Sequence, residues 1–99
     1  IQNNIIRGSI IYVDNYGNAT TNIKKDEFLK LKKDNRFIVL FGREDEVINT
    51  ISKQYNDVEM GEKLAIFGEN NYLQISINKG MADKLLGLNL HETVRIEFI

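Results

Sequence analysis

The chain has 99 residues, with 13 Lys and Arg against 14 Asp and Glu, one His, and no Cys, Pro or Trp. This length allows a single domain, and 42% apolar residues with a formal charge of −1 is the composition of a folded protein rather than a disordered one. The balanced charge argues against a nucleic acid as partner, because phosphate binding depends on clustered basic side chains. The absence of cysteine excludes disulfide bonds, thiol catalysis and thiolate zinc sites.

The start of the chain does not look like a targeting signal. It begins with Ile1 rather than Met, and nothing near it has the basic, apolar and small-residue regions of a signal peptide. The longest apolar runs, such as residues 37–41, are far shorter than the roughly 20 residues that span a bilayer. We therefore expect a soluble chain that is a piece of a longer protein or a processed form.

The first third of the chain predicts two strands and a helix. Residues 5–13 are rich in β-branched side chains and indicate a strand, with a bulge near Gly8. The polar residues 14–18 indicate a tight turn that folds back into a short strand at 20–23. Residues 25–33 have acids in the first turn and bases in the last, an arrangement that favours a short amphipathic helix.

The middle of the chain continues with extended segments. The apolar residues 37–41 predict a buried strand that ends at Gly42. A charged turn at 43–46 then precedes another predicted strand at 47–51.

The last third predicts a hairpin, a second helix and a final strand. Residues 63–67 and 72–77 flank a four-residue loop, which is the pattern of a β-hairpin. Residues 81–86 predict a helix of one to two turns, and residues 93–98 alternate as a strand with one solvent-facing side. We count six or seven predicted strands and one or two short helices. Short connections between strands favour a mainly β fold, a small antiparallel barrel or sandwich.

Most of the polar residues that resemble catalytic groups are better explained as surface. His91 lies in a polar stretch before the last strand and has no serine motif to accompany it, so we interpret it as a loop residue. The acidic groups at 26–27 and 44–46 lack the spacing of metal ligands. The basic run is spread around a helix beside acidic neighbours and indicates a solvated face; it comprises Lys24, Lys25, Lys30, Lys32 and Lys33.

Residues 14–23 are harder to dismiss. They concentrate short side chains with oxygen and amide groups, one aromatic ring and one glycine directly after a hydrophobic strand. Such a turn can present the Asp14 carboxylate to an ammonium group and the Asn18 carboxamide to the edge of a base. The alternative is a turn whose polar groups bond to one another and only cap the strand.

This segment also resembles a family signature. Asp14-Asn15-Tyr16-Gly17-Asn18-Ala19-Thr20-Thr21-Asn22-Ile23 is similar to the Asp-Arg-Phe-Gly-Asn-x-x-Thr-Asn-Ile motif that opens the C-terminal domain of the S-adenosyl-L-methionine (SAM) hydrolases, also called SAM hydroxide adenosyltransferases. These enzymes are relatives of fluorinating and chlorinating enzymes. Further similarity follows at residues 55–62, in the hairpin and its sequel at 64–82, and at 94–96.

The resemblance implies a bacterial, cytoplasmic, two-domain enzyme that is normally a trimer. SAM is its substrate, with no further cofactor or metal, and lies between the N-terminal domain of one subunit and the C-terminal domain of its neighbour. Water attacks the ribose 5′ carbon and displaces methionine, which yields adenosine. Residues 1–99 would be the single C-terminal domain of such an enzyme, inactive alone, because the family's catalytic residues belong to the N-terminal domain.

The resemblance also implies roles for individual residues. Asp14 would meet the methionine ammonium, Asn18 the adenine edge, and Tyr55 would replace an aromatic ring that stacks on adenine. A cationic amine is suited to a carboxylate and a flat base to a π face.

Further residues are implied in and after the hairpin, where the sequence departs from the family pattern. Glu69 and Asn70 occupy the hairpin loop, where relatives place Ser and a second polar or basic residue against the methionine carboxylate. Glutamate would repel a carboxylate, so Asn70 is the better partner. Asn78 and Lys79 lie at an expected adenine contact, followed by Met81 where relatives have Asn.

Two alternatives remain at this point. One is a freestanding small barrel that binds a nucleotide, an oligosaccharide or a protein through one face. That hypothesis predicts a grouped aromatic surface formed by Tyr12, Tyr16, Tyr55 and Tyr72. The other is a domain that serves only assembly. Convergence of Asp14, Asn18 and Tyr55 on one open edge would instead favour half of a ligand site.

Overall fold

The computed structural model describes residues 4–42 and 46–99, and it is mainly β. Within these residues, eight strands form one sheet, accompanied by two short α-helices and a 3-10 turn at Tyr55–Asp57. The strands are β1 (Ile5–Val13), β2 (Ala19–Lys24), β3 (Phe37–Phe41), β4 (Glu46–Ile48), β5 (Ile51–Ser52), β6 (Lys63–Phe67), β7 (Tyr72–Ile77) and β8 (Thr93–Phe98). The helices are α1 (Lys25–Lys32) and α2 (Ala82–Leu85).

The sheet curls into a nearly closed barrel. Its strand order is β4-β3-β8-β1-β2-β7-β6-β5, and its pairs are antiparallel except for β5 with β6, which run parallel. The two edge strands, β4 and β5, are joined by only Asn49 and Thr50. Across the gap between the edges, Lys63 Nζ lies 2.7 Å from Glu46 Oε1. The barrel-like fold predicted from the strand pattern is therefore confirmed, with one parallel pair and more strands than predicted.

Alternating side chains fill the interior of this barrel. In β3, the buried residues Phe37, Val39 and Phe41 alternate with half-buried ones, as expected for a strand with a single core-facing side. Helix α1 contributes one buried side chain, Phe28, whose ring centroid lies 5.0 Å from that of Phe37 in an edge-to-face arrangement. Phe28 also contacts the rings of Phe67 and Phe98, so the helix packs against the aromatic end of the core.

The bulge predicted near Gly8 lies elsewhere in β1. No bulge occurs at Gly8, whose pairing with Val94 is regular; the irregularity lies between Ile10 and Tyr12 on the β2 side. Gly8 instead allows a close approach, because a Cβ there would lie 2.5 Å from Asn22 Oδ1. The Asn22 oxygen accepts a hydrogen bond of 2.9 Å from the Ser9 N–H at this contact.

The strand predicted at 47–51 is two strands in the structure. Glu46–Ile48 pairs with β3, whereas Ile51–Ser52 pairs with β6, so the chain crosses from one edge of the sheet to the other within this segment. Most of the charged turn predicted at 43–46 lies outside the described residues. Both helices are slightly shorter than predicted, and no helix of the described residues is long and apolar enough to cross a membrane.

Candidate functional site

The turn between β1 and β2 is built around the carboxylate of Asp14. Its Oδ1 accepts hydrogen bonds of 2.9 Å from the backbone N–H groups of Tyr16 and Asn18, and its Oδ2 accepts one of 3.0 Å from Asn18 Nδ2. The turn is therefore self-bonded, as one of the two hypotheses predicted. It still leaves the Asn18 amide oxygen without a donor among the described residues, and a carboxylate has about four acceptor positions, so Asp14 is not saturated.

Gly17 fixes this turn against the start of α2. Its backbone has φ = +83°, a left-handed conformation that favours glycine, and its carbonyl oxygen accepts a hydrogen bond of 2.9 Å from the Asp83 N–H. A Cβ at this position would lie 2.5 Å from Asp83 Oδ1 and 2.8 Å from Met81 Cα. Only glycine therefore allows the turn and the helix to approach this closely.

A cleft of about 390 Å³ lies beside the turn. It brings together Asn18 and Tyr55, two of the residues singled out from the sequence, while Asp14 lies behind Asn18 and holds it. The cleft is lined by Asn15, Tyr16, Asn18, Tyr55, Ile77, Lys79, Gly80 and Met81. An open cleft with one aromatic wall and a few amide groups is suited to a flat polar ligand such as a nucleobase.

Tyr55 separates this cleft from a second one. Its hydroxyl accepts a hydrogen bond of 2.7 Å from Gln74 Nε2 on β7, which also donates to Ser76 Oγ at 2.9 Å. Tyr55 remains 44% exposed, so its ring is available to a ligand. The second cleft, of about 540 Å³, lies between Tyr55 and the hairpin loop that contains Glu69 and Asn70.

Asn78 supports the segment that carries Tyr55. Its Nδ2 donates a hydrogen bond of 2.9 Å to the Val58 carbonyl oxygen. Its backbone N–H donates to the Glu62 carbonyl at 3.0 Å, and its own carbonyl accepts from the Gly61 N–H at 2.8 Å. The side chain is therefore engaged within the protein, and the neighbouring Lys79 lines the cleft in its place.

The hairpin loop presents the other two predicted residues. Asn70 Oδ1 accepts a hydrogen bond of 3.0 Å from the Tyr72 N–H, which leaves the Asn70 amide nitrogen without an acceptor among the described residues. Glu69 is exposed. Asp14 and Asn70, both assigned to methionine by the resemblance, do not lie at the same cleft.

The remaining candidates are on the surface. His91 lies in an exposed loop, where its backbone N–H donates to the Ile10 carbonyl at 2.8 Å. Asp26 and Glu27 are exposed in the first turn of α1. Within residues 4–42 and 46–99, no group of three or more His, Asp or Glu side chains is placed to hold a metal ion.

Comparison with known proteins identifies the family of this domain. Residues 8–95 match the model described as the SAM hydroxide adenosyltransferase C-terminal domain. The chain belongs to this family. The match covers the Asp14–Asn18 turn, Tyr55 and the hairpin, which are the segments that form the two clefts.

Solved structures share the fold of this SAM hydroxide adenosyltransferase domain. An uncharacterized conserved protein from Thermotoga maritima is 32% identical, covers 97% of this chain and superposes with a TM-score of 0.81. A conserved hypothetical protein from Thermus thermophilus is 21% identical over 94% of this chain, with a TM-score of 0.68, and supports the fold alone. The chain spans 37% and 34% of these proteins, so each of them is much longer.

Some residues of the site were not assigned to the ligand by the resemblance. Tyr16 was named only as part of a possible aromatic surface and Met81 only as a departure from the SAM hydroxide adenosyltransferase pattern, yet both line the first cleft. Asp83 had no signal at all, because its importance comes from contact with Gly17, which is distant in sequence. A glycine in a polar turn indicates a positive φ, but not which residue packs against it.

Proposed function

We propose that this chain is the SAM-binding C-terminal domain of an enzyme that hydrolyses SAM to adenosine and methionine. It supplies part of the pocket at a subunit interface and is not catalytic alone. The observation that carries the proposal is the placement of Asn18 and Tyr55 at one cleft, within a domain of the SAM hydroxide adenosyltransferase family. In the reaction, a water oxygen bonds to the ribose 5′ carbon as the carbon–sulfur bond breaks; the bonding electrons go to the sulfur of the departing methionine, and the water releases one proton.

The first cleft binds the adenine. The amide oxygen of Asn18, which has no donor among the described residues, accepts a hydrogen bond from the exocyclic amine of the base. The exposed ring of Tyr55 stacks on the flat face of the base. Asn78 acts on the same contact by holding the Tyr55 segment in place through Val58.

The methionine part of SAM carries an ammonium and a carboxylate. Asp14 has an acceptor position left for the ammonium after the hydrogen bonds of its turn. The amide nitrogen of Asn70 is available to the carboxylate, and the exposed Glu69 lines the same cleft. Both groups are attached to one carbon, so this assignment requires Asp14, which lines neither cleft, and Asn70, which lines the second, to reach the same end of the ligand beside Tyr55.

The tyrosines do not support the freestanding aromatic-face module. Tyr16 and Tyr55 line the first cleft, whereas Tyr12 and Tyr72 lie outside it. The convergence of Asn18 and Tyr55, with Asp14 bonded to Asn18, favours half of a ligand site instead.

A two-dimensional NMR titration with adenosine and with SAM tests the proposal. We expect millimolar binding, because much of the ligand would be covered by residues outside this chain. Shifts are expected to cluster on Asn18, Tyr55 and Lys79, and Asn18→Ala should abolish them. Asn89→Ala, in an exposed loop outside both clefts, is the matched control. Shifts that are scattered over the barrel, or unaltered by Asn18→Ala, would contradict the assignment.

A further inference from the structure

Asp83 carries a buried oxygen that makes no hydrogen bond. Within the described residues, Oδ1 of Asp83 is shielded from solvent and has no donor, although the residue as a whole is half-buried. A buried carboxylate oxygen without a donor destabilises a folded protein, and such groups in natural proteins are associated with function.

The position of Asp83 is directly behind the Asp14–Asn18 turn. Its N–H donates to the Gly17 carbonyl at 2.9 Å, and its Oδ1 lies 2.5 Å from the place where a Gly17 Cβ would be. Met81, two residues earlier, lines the first cleft. Asp83 itself does not line the cleft, so it can act there through its charge rather than by contact.

The charge of the cleft depends on residues outside its lining. Among the described residues that line it, Lys79 is the charged one, and it is exposed and positive. The carboxylates of Asp14 and Asp83 lie behind the same wall of the cleft, and their negative charges counteract the positive charge of Lys79. Asp14 already accepts three hydrogen bonds from its turn, whereas Oδ1 of Asp83 accepts none among the described residues. Asp83 is half-buried, so water screens its charge less than it screens the charge of an exposed carboxylate.

We propose that Asp83 is a specificity-determining residue that makes the first cleft favour a positively charged ligand over a neutral one of the same shape. This inference rests on the proposed function and deepens it. The sulfonium of SAM distinguishes the substrate from S-adenosylhomocysteine, which has a neutral sulfur, and from adenosine. Asp83 supplies the negative potential that selects for that charge, while Asn18 and Tyr55 bind the base that all three ligands share.

Binding of these three ligands to variants of the 99-residue chain tests the inference. Asp83→Asn removes the charge and retains the shape, and at low salt it should weaken SAM binding about three- to tenfold. Binding of S-adenosylhomocysteine and adenosine should change less than about twofold, because the variant alters only the charge interaction. Asp34→Asn, which follows α1 and lies outside the first cleft, changes the net charge equally and should leave the ratio of SAM to S-adenosylhomocysteine affinity unaltered.

Each result has a definite meaning. If Asp83→Asn weakens all three ligands equally, Asp83 only holds the turn and the inference is wrong. If the wild-type chain binds none of them at millimolar concentration, the proposed function fails and this inference fails with it. If the asparagine amide of the first variant crowds Gly17, Asp83→Ala is the second variant. The NMR spectrum shows whether each variant is folded. Asp83→Ala should show the same selective loss for SAM, and high salt should reduce the difference between wild type and variant.

Discussion

The side-chain amide of Asn78 donates a hydrogen bond of 2.9 Å to the carbonyl oxygen of Val58 and so ties the end of β7 to the segment that carries Tyr55. The 3-10 turn that contains Tyr55 is also held by Asp57, whose Oδ2 accepts from the Lys53 and Gln54 N–H groups, and by the hydrogen bond of the Tyr55 hydroxyl with Gln74. Asn78 is therefore expected to act on ligand binding through the position of Tyr55.

The first prediction concerns Asn78→Ala. Losing one half-buried hydrogen bond should lower the free energy of unfolding by about 1 kcal/mol, measured by urea denaturation. The free energy of adenosine binding should fall by more than the free energy of unfolding, because the Tyr55 ring loses its fixed position. Asn89→Ala serves as control and should alter neither quantity. Unaltered adenosine affinity in a folded Asn78→Ala variant would show that Tyr55 does not depend on this bond.

The second prediction compares two glycines with similar backbone angles. Gly17 has φ = +83° and Gly61 has φ = +87°, but a Cβ at Gly17 would meet Asp83 and Met81, whereas a Cβ at Gly61 would meet nothing within 4 Å. Gly61→Ala should therefore lower the free energy of unfolding by about 1–2 kcal/mol, the cost of a left-handed alanine. Gly17→Ala should lose about 3 kcal/mol or more, because strain and overlap add. Equal losses would mean that α2 moves away from the turn without cost.

The sequence predicted those strands whose pattern of apolar residues shows which side is buried. Residues 37–41, 63–67, 72–77 and 93–98 are strands with the predicted bounds, since alternation or a short apolar run identifies a segment with a buried side. A pattern does not identify the partner of a strand, and this is why the segment 47–51 was taken as one strand. Its two halves pair with different edges of the sheet.

The candidate site was predictable to a similar extent. The polar residues 14–18 indicate a turn, and the structure has one whose bonds centre on Asp14. The pairing of Tyr55 with Asn18 follows from neither composition nor spacing, and it came only from the family resemblance. The contact of Asp83 with Gly17 depends on how α2 packs against the barrel, and no local sequence pattern predicts that packing.

The third prediction concerns the aromatic end of the core. Phe28 is 4% exposed and contacts Phe37, Phe67 and Phe98, whereas the adjacent Leu29 is 53% exposed. Phe28→Ala should lower the free energy of unfolding by about 3–5 kcal/mol, a large share of the stability of a domain of this size. Leu29→Ala should alter it by less than about 0.5 kcal/mol. Similar effects of the two substitutions on thermal unfolding would contradict the packing of α1 described above.

The fourth prediction separates two roles of Asp14. Asp14→Ala removes the acceptor of three hydrogen bonds, so it should lower the free energy of unfolding by about 1–2 kcal/mol and weaken SAM and adenosine alike by releasing Asn18. Asp14→Asn retains one side-chain oxygen for the Tyr16 and Asn18 N–H groups but removes the charge and the acceptor of the Asn18 side-chain amide.

For Asp14→Asn, we expect the free energy of unfolding to fall by about 1 kcal/mol, because the hydrogen bond from Asn18 Nδ2 is lost. SAM affinity should fall more than adenosine affinity, because only SAM carries an ammonium for the carboxylate to attract. Urea denaturation gives the stability and NMR titration gives the two affinities. If Asp14→Asn weakens both ligands to the same degree, Asp14 contributes only the shape of the turn, and the ammonium is bound by another group. If SAM alone is weakened, the carboxylate has both roles: it builds the turn that presents Asn18, and its remaining acceptor position binds the charged end of the ligand.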